Sequence, residues 1–194
     1  MIRAVIFDCF GVVIADGLEA VILRREKTDP TIKEFVSETI QRTNRGLLHP
    51  DESRQIIGKR LGITADDWRS EISAEEIRNP DVINLIHKLK KKYKTAMLSN
   101  IGKDSLRHRF SADELEELFD VVVASAEVGM AKPDPEIYEL TAGKLSVEVS
   151  ECVFIDDRQP YVDGAKAVGM QAILYQDFPQ FKRDLDKILA DAES

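Results

Sequence analysis

The spacing of apolar residues changes twice along the chain. It opens on an uninterrupted run, Ala4-Val5-Ile6-Phe7, that stops at a single carboxylate, Asp8. β-Branched and aromatic residues in such a run predict a buried strand, and Gly11 allows a sharp turn just beyond it. From Asp16 to about Arg78 the spacing is helical and no strand is predicted. Leu18, Val21 and Ile22 begin one amphipathic stretch. Asp29-Pro30 reads as a cap followed by proline at the first helical position, with Ile32, Phe35, Val36 and Ile40 on one face. Pro50-Asp51 opens another helix with Ile56, Ile57 and Leu61 inward, and Gly62 ends it. Thr64 caps a third, carrying Trp68 and Ile72, and Ser73-Ala74-Glu75-Glu76 matches a capping box that predicts one last short turn.

Beyond this point helices and strands alternate. Asn79-Pro80-Asp81 starts a helix with Val82, Leu85, Ile86 and Leu89 on one face, leaving through Lys90, Lys91 and Lys92, which suit the negative end of a helix dipole. Strands are predicted at Thr95–Ser99, Val121–Ala124, Cys152–Ile155 and Ala172–Leu174. Short helices are expected over 104–110 and 113–118. Longer ones start at Asp134-Pro135, at Pro160 (ending at Gly169), and around Phe181, Leu185, Ile188 and Leu189. Apolar strands separated by helices indicate an α/β fold with a parallel sheet covered on both faces. Residues 1–15 and about 80–194 form the sheet domain on this reading, and 16–79 a helical lobe inserted after the first strand.

Composition narrows the partners. Among 194 residues, 43% are hydrophobic and 32% charged, an ordinary globular balance. A net charge of -8 argues against nucleic-acid and anionic-membrane partners, which need basic surface. It leaves room for an anionic small molecule, because a local cluster or a metal reverses the sign of a pocket. Cys9 and Cys152 lie in apolar runs and read as buried thiols. His49, His87 and His108 stand apart and form no metal cluster. The chain starts directly on strand sequence, and no apolar run approaches membrane-spanning length, so a cytoplasmic location is expected. The pattern fixes no oligomeric state.

Three predicted strands end in polar residues: Asp8, Ser99-Asn100 and Asp156-Asp157. Parallel strands share a direction, so these ends meet at one sheet edge, where open α/β sheets bind ligands. Lys132, in the loop after the third strand, can reach the same place. Three carboxylates at one point repel unless a cation joins them, and a hard, oxygen-preferring ion such as Mg2+ fits. One oxygen of Asp8 can then ligate the metal while the other attacks phosphorus. Lys132 and Ser99 would bind the equatorial phosphate oxygens.

These residues resemble the four motifs of the haloacid dehalogenase-like (HAD) hydrolase superfamily. Phe7-Asp8-Cys9-Phe10-Gly11-Val12-Val13 resembles the nucleophile motif, and Met97-Leu98-Ser99-Asn100 the second. Lys132-Pro133-Asp134-Pro135-Glu136-Ile137-Tyr138 resembles the lysine motif, and Phe154-Ile155-Asp156-Asp157 the acidic one. The resemblance implies a doubly wound, Rossmann-like, five-stranded sheet and a subfamily I, type 1 helical cap. It implies Asp8 as nucleophile and metal ligand, the backbone carbonyl of Phe10 as a further ligand, and Asp156 and Asp157 completing a Mg2+ site. Ser99, Asn100 and Lys132 would bind the transferred group, from a small phosphorylated metabolite.

Two positions depart from that pattern. Phosphatases of the family place a second Asp two residues after the nucleophile, which protonates the leaving oxygen; here that residue is Phe10. Pro160-Tyr161 stands where many relatives carry an acidic or amide residue. Both point to slow turnover, a good leaving group, or a phosphate- and metal-binding protein without turnover. An aromatic residue after the nucleophile also resembles the 2-haloacid dehalogenases, whose halide needs no proton, but Asp156-Asp157 weighs against them. Arg24, Arg42 and Arg45 are candidate cap contacts with substrate.

Overall fold

The computed structural model describes residues 1–102 and 104–191. Five strands form one parallel sheet: β1 (Ala4–Phe7), β2 (Lys94–Ser99), β3 (Val121–Ala124), β4 (Cys152–Asp156) and β5 (Gln171–Leu174). Their order is β3-β2-β1-β4-β5. The chain winds outward from β1 on one side, then returns to continue from β4 on the other. The direction of winding therefore reverses between β1 and β4, the place where such sheets open a crevice for ligands.

Alternation along β1 sets the two layers. Val5 and Phe7 pack on one face with Val82, Ile86, Leu118, Phe181 and Leu185. Ala4 and Ile6 pack on the other with Ile137, Tyr138, Leu145 and Ala165. Helices α5 (Pro80–Leu89), α6 (Ala112–Leu118) and α10 (Phe178–Asp191) cover the first face, and α8 (Pro135–Leu145) and α9 (Gln159–Ala167) the second. A single turn, α7 (Ser125–Val128), follows β3.

Between β1 and α5 lie four helices: α1 (Gly17–Glu26), α2 (Ile32–Asn44), α3 (Pro50–Leu61) and α4 (Ala65–Glu75). They bury an apolar cluster of their own, Val21, Ile22, Ile32, Val36, Ile57 and Trp68. The chain enters and leaves this insert side by side, joined by Ala15 N–H to Ile77 carbonyl at 2.8 Å and Asn79 N–H to Val13 carbonyl at 2.9 Å. No described helix is long and apolar enough to cross a membrane.

Several local expectations are corrected. α2 starts at Ile32, two residues after Pro30, because the Asp29 carboxylate accepts from the Thr31 amide and hydroxyl and closes a turn ahead of the helix. Ser73-Ala74-Glu75-Glu76 begins no new turn. Ser73 to Glu75 are the last residues of α4, and the capping box of that helix is Thr64 with Asp67. The 104–110 segment forms only a 3-10 turn, Ser105–His108. Asp134 precedes α8 but does not cap it with its side chain, since Arg45 of the insert takes both carboxylate oxygens, at 2.8 and 3.1 Å.

Candidate active site

Four of the residues singled out in the sequence converge where the winding reverses. Asp8 leaves the end of β1, Asp156 ends β4 and Asp157 follows it. One oxygen from each lies within 4.8 Å of the others. Lys132, buried, reaches between them: its Nζ is 2.8 Å from Asp8 Oδ1 and 2.6 Å from Asp156 Oδ2. Asp156 is held from its other side by the Arg158 amide, 2.9 Å from Oδ1. Gly11 makes the assembly possible. Its φ is +84°, and a Cβ there would sit 2.2 Å from Asp157 Oδ2.

The electrostatics are unbalanced. Three carboxylates face one lysine, two of them buried outright with Lys132. Burial and the neighbouring Asp156 carboxylate raise the Asp8 carboxyl well above the usual range, although Lys132 opposes them. Burial and Asp156 likewise push Asp157 up to about 6. Burial alone would lower the Lys132 ammonium, but Asp156 and Asp8 outweigh it and keep it protonated. Among the described residues, two buried side-chain oxygens here lack a hydrogen-bond partner, Ser99 Oγ and Asp157 Oδ1. Buried polar atoms are rarely left so, and water, an ion or a ligand then supplies the partner.

Asn100 takes a different part. Its Nδ2 donates to the Lys132 carbonyl at 2.8 Å, and its Oδ1 accepts from the Lys132 amide at 2.9 Å. Its amide therefore orders the lysine loop. Phe10 carries no acid to the site; its ring stacks under the Arg109 guanidinium, 5.1 Å from the ring centre. Arg109 is in turn fixed by Glu76, at 2.6 and 2.8 Å.

Above this edge a cavity of about 530 Å3 runs up to the insert. Arg24, Arg42 and Arg45 do not line it. Arg24 instead pairs with Glu75, and Arg45 with Asp134. The lining includes Ser53, Arg54 and Arg69 from the insert, and His108, Arg109 and Arg158 from the sheet domain. None was singled out as a contact by the sequence pattern except His108, noted only as an isolated histidine. The charge trio of Asp8, Asp156 and Asp157 is the metal-type cluster found among the described residues, and Cys9 and Cys152 are buried free thiols, as expected.

The chain is similar to several known proteins. A bifunctional epoxide hydrolase 2 from Sus scrofa is 35% identical over 121 residues, 60% of this chain and 22% of that one. The chain thus spans about a fifth of the length of that relative. A sesquiterpene phosphatase, astK, from Aspergillus oryzae is 32% identical over 142 residues, covering 69% of this chain and 70% of the relative. The crystal structure of a HAD family enzyme from Bacteroides thetaiotaomicron, in complex with magnesium and inorganic phosphate, shares the fold. Its TM-score is 0.75 at 20% identity, over 93% of this chain and 99% of that one. A family model described as haloacid dehalogenase-like hydrolase matches residues 2–169, and with it this chain belongs to the haloacid dehalogenase-like hydrolase family.

Proposed function

We propose that this protein is a Mg2+-dependent phosphohydrolase of a small phosphorylated metabolite, working through an aspartyl-phosphate on Asp8. The observation that carries the reading is the convergence of oxygens from Asp8, Asp156 and Asp157 within 4.8 Å of one another, with one lysine between them. The donor set suits the ion: every candidate ligand is a hard oxygen, and Asp157 Oδ1 is buried without a partner. Asp8, Asp157 and the Phe10 carbonyl would hold Mg2+, with Asp156 directly or through water. Bound there, the ion would offset the charge of the phosphate oxygens and fix their orientation.

The chain's own residues then have separable tasks. An Asp8 oxygen attacks phosphorus as the ester P–O bond breaks and the leaving oxygen departs with its electron pair. Lys132 and the unpartnered Ser99 hydroxyl hold equatorial oxygens in the transition state. Water then attacks the phosphorus of the aspartyl-phosphate, releasing inorganic phosphate and restoring the Asp8 carboxylate. Phe10 cannot protonate the leaving oxygen, so leaving groups of low pKa, such as acyl or aryl phosphates, are favoured. Residues 16–79 serve as a cap that excludes water and sets specificity. The phosphatase name of the Aspergillus relative and the magnesium and phosphate of the Bacteroides enzyme support this reading. The two buried thiols suit a reducing compartment such as the cytoplasm.

The test is an aryl phosphate assay with and without Mg2+, run beside Asp8→Asn. Mg2+-dependent phenolate release that the substitution abolishes is the expected result. No release, with thermal stabilisation by inorganic phosphate, would make the protein a binding module instead. Halide release from a 2-haloacid, insensitive to chelation, would make it a dehalogenase.

A further inference from the structure

The cavity is far larger than a phosphate group needs, and part of its lining comes from the insert. About 530 Å3 is the size of a pocket for a drug-sized ligand. The lining carries apolar residues, Phe10, Ile14, Leu18, Ile40, Trp68 and Ile72. Besides Pro50, Trp68 and Ile72, α3 and α4 bring Ser53, Arg54, Arg69 and Ser73 to the cavity. Ser53, in the first turns of α3, is buried at 2% exposure, and its hydroxyl has no hydrogen-bond partner among the described residues. Arg54 follows it and is half-buried. Arg69, on the neighbouring α4, is exposed and has no carboxylate partner among the described residues. No Asp or Glu within these two helices lines the cavity among the described residues; its acidic lining is Asp8, Asp16 and Glu76, and the last two are paired with Arg158 and Arg109.

Three independent features of this part of the lining therefore favour a negative charge. The N-terminal turn of α3 supplies Pro50 and Ser53 to the lining and carries the positive end of the helix dipole. A buried hydroxyl without a partner costs free energy unless something bonds it. Two guanidiniums, Arg54 and Arg69, line the same cavity, and Arg69 has no carboxylate partner among the described residues. Arg54 does share its charge with Asp51, but Asp51 is exposed and outside the lining.

We propose that Ser53, Arg54 and Arg69 form a second oxyanion subsite, so that the substrate is an amphipathic phosphate ester carrying another anionic group at its far end. The phosphate would lie at Asp8, an apolar body along Ile14, Leu18, Ile40 and Ile72, and a carboxylate or second phosphate against α3. This deepens the phosphohydrolase reading and rests on it for the first anchoring point. The leaving group that Phe10 requires is compatible, because specificity for the tail resides on the insert and not in the acid–base chemistry.

The test measures binding, so it does not depend on turnover. Calorimetric affinities, with Mg2+ present, are compared for alkylphosphonates and for ω-carboxyalkylphosphonates of matched and increasing chain length. Alkane-α,ω-bisphosphonates form the third arm. The expected result is an optimum length at which the terminal anion tightens binding roughly tenfold, the scale of a hydrogen bond to a charged group. Whether carboxylate or phosphonate gains more identifies the tail. Arg69→Gln and Ser53→Ala should each erase most of that gain, whereas Lys91→Gln, in the basic run outside the cavity, should keep it. A gain absent at every length, or surviving both cavity substitutions, overturns the subsite while plain alkylphosphonate binding leaves the phosphohydrolase reading standing. Failure of every phosphonate to bind removes the anchoring point and overturns both.

Discussion

Burial and the Asp156 charge hold the Asp157 carboxyl at about 6, against 3.8 when free, so the folded protein without metal prefers it protonated. Its stabilising contribution is therefore fully present below about pH 4 and lost as pH rises through about 6. A bound cation needs the opposite, the ionised carboxylate, so protons compete with Mg2+. Stabilisation by Mg2+ with inorganic phosphate should accordingly weaken as pH falls through about 6, as read by differential scanning calorimetry. Asp157→Asn removes the repulsion at neutral pH. It should raise the melting temperature of the metal-free protein by ~2–4 °C, about 1 kcal/mol for a chain of this size, and abolish the response to Mg2+. A variant that melted lower, or still responded, would contradict the placement of Asp157 at the ion. Phe10 poses the complementary question. Phe10→Asp supplies the missing acid and should raise kcat on alkyl phosphates by up to about 10²-fold, with little change on aryl phosphates. Arg109 lies 5.1 Å from the Phe10 ring centre and would hold the new carboxylate ionised, so the gain should grow below neutral pH. An alkyl phosphate rate that stayed flat across pH would show that something other than the missing acid limits turnover.

At the scale of elements, the strands that carry the site were legible and the insert's inner face was not. An apolar run that halts at a carboxylate, as Val5-Ile6-Phe7 does at Asp8 and Val153-Phe154-Ile155 at Asp156, has one reading in a parallel sheet, since both faces of such a strand are buried. α3 and α4 have no such simplicity. One side of each meets Ile57 or Trp68 in the insert's own core, and another meets the cavity. Ser53 and Arg69 consequently fall at positions indistinguishable from solvated ones. Local motifs misled for a related reason. The Ser73–Glu76 match concerns four residues only, and it cannot register that the chain entering it is already helical. Asp134-Pro135 does start α8 as its sequence reads, but a guanidinium 89 positions away takes the carboxylate that would have capped it. Gly11 was legible as a turn but not for what it accommodates. A methyl group there would meet Asp157 Oδ2 at 2.2 Å on a backbone with φ +84°. Gly11→Ala should cost roughly 1–3 kcal/mol in backbone strain and displace Asp157, so the Mg2+ response should fall together with stability. Loss of stability with an intact Mg2+ response would mean that Asp157 does not need its present position.

The whole molecule consists of two apolar bodies joined by a polar seam. The core clusters of the sheet domain contain no residue between 16 and 79, and the insert's cluster contains none outside 18 to 72. Ion pairs cross between them instead: Asp16–Arg158 at 2.9 Å, Arg45–Asp134 at 2.8 Å, Glu76–Arg109 at 2.6 Å, and Arg78–Glu114. Packing is tight at two further points, where a Cβ on Gly102 would meet Thr43 and Pro50 of the insert at 2.9 Å and one on Gly46 would meet the Ala126 carbonyl at 3.0 Å. Seams of this polarity allow relative motion by default, and the proposed hydrolysis, in which the insert must admit substrate and release phosphate, would require it. The four pairs are not equivalent. Arg45 and Arg158 are nearly half exposed, whereas the side chains of Glu76 and Arg109 are 7% and 20% exposed. Salt should therefore loosen the first two and spare the third. Glu76→Gln keeps one acceptor but removes the charge opposite Arg109, at a cost of roughly 1–3 kcal/mol. The amides of Ala15 and Asn79, which bond across the two connecting strands, should then exchange with deuterium faster at every ionic strength, while Ile6 in β1 keeps its protection. In the unaltered protein the same two amides should respond only weakly to salt. Equal acceleration at Ile6 would mean that Glu76 supports the entire fold, and no acceleration at Ala15 and Asn79 would mean that the seam is held by the packing around Gly102 and not by charge.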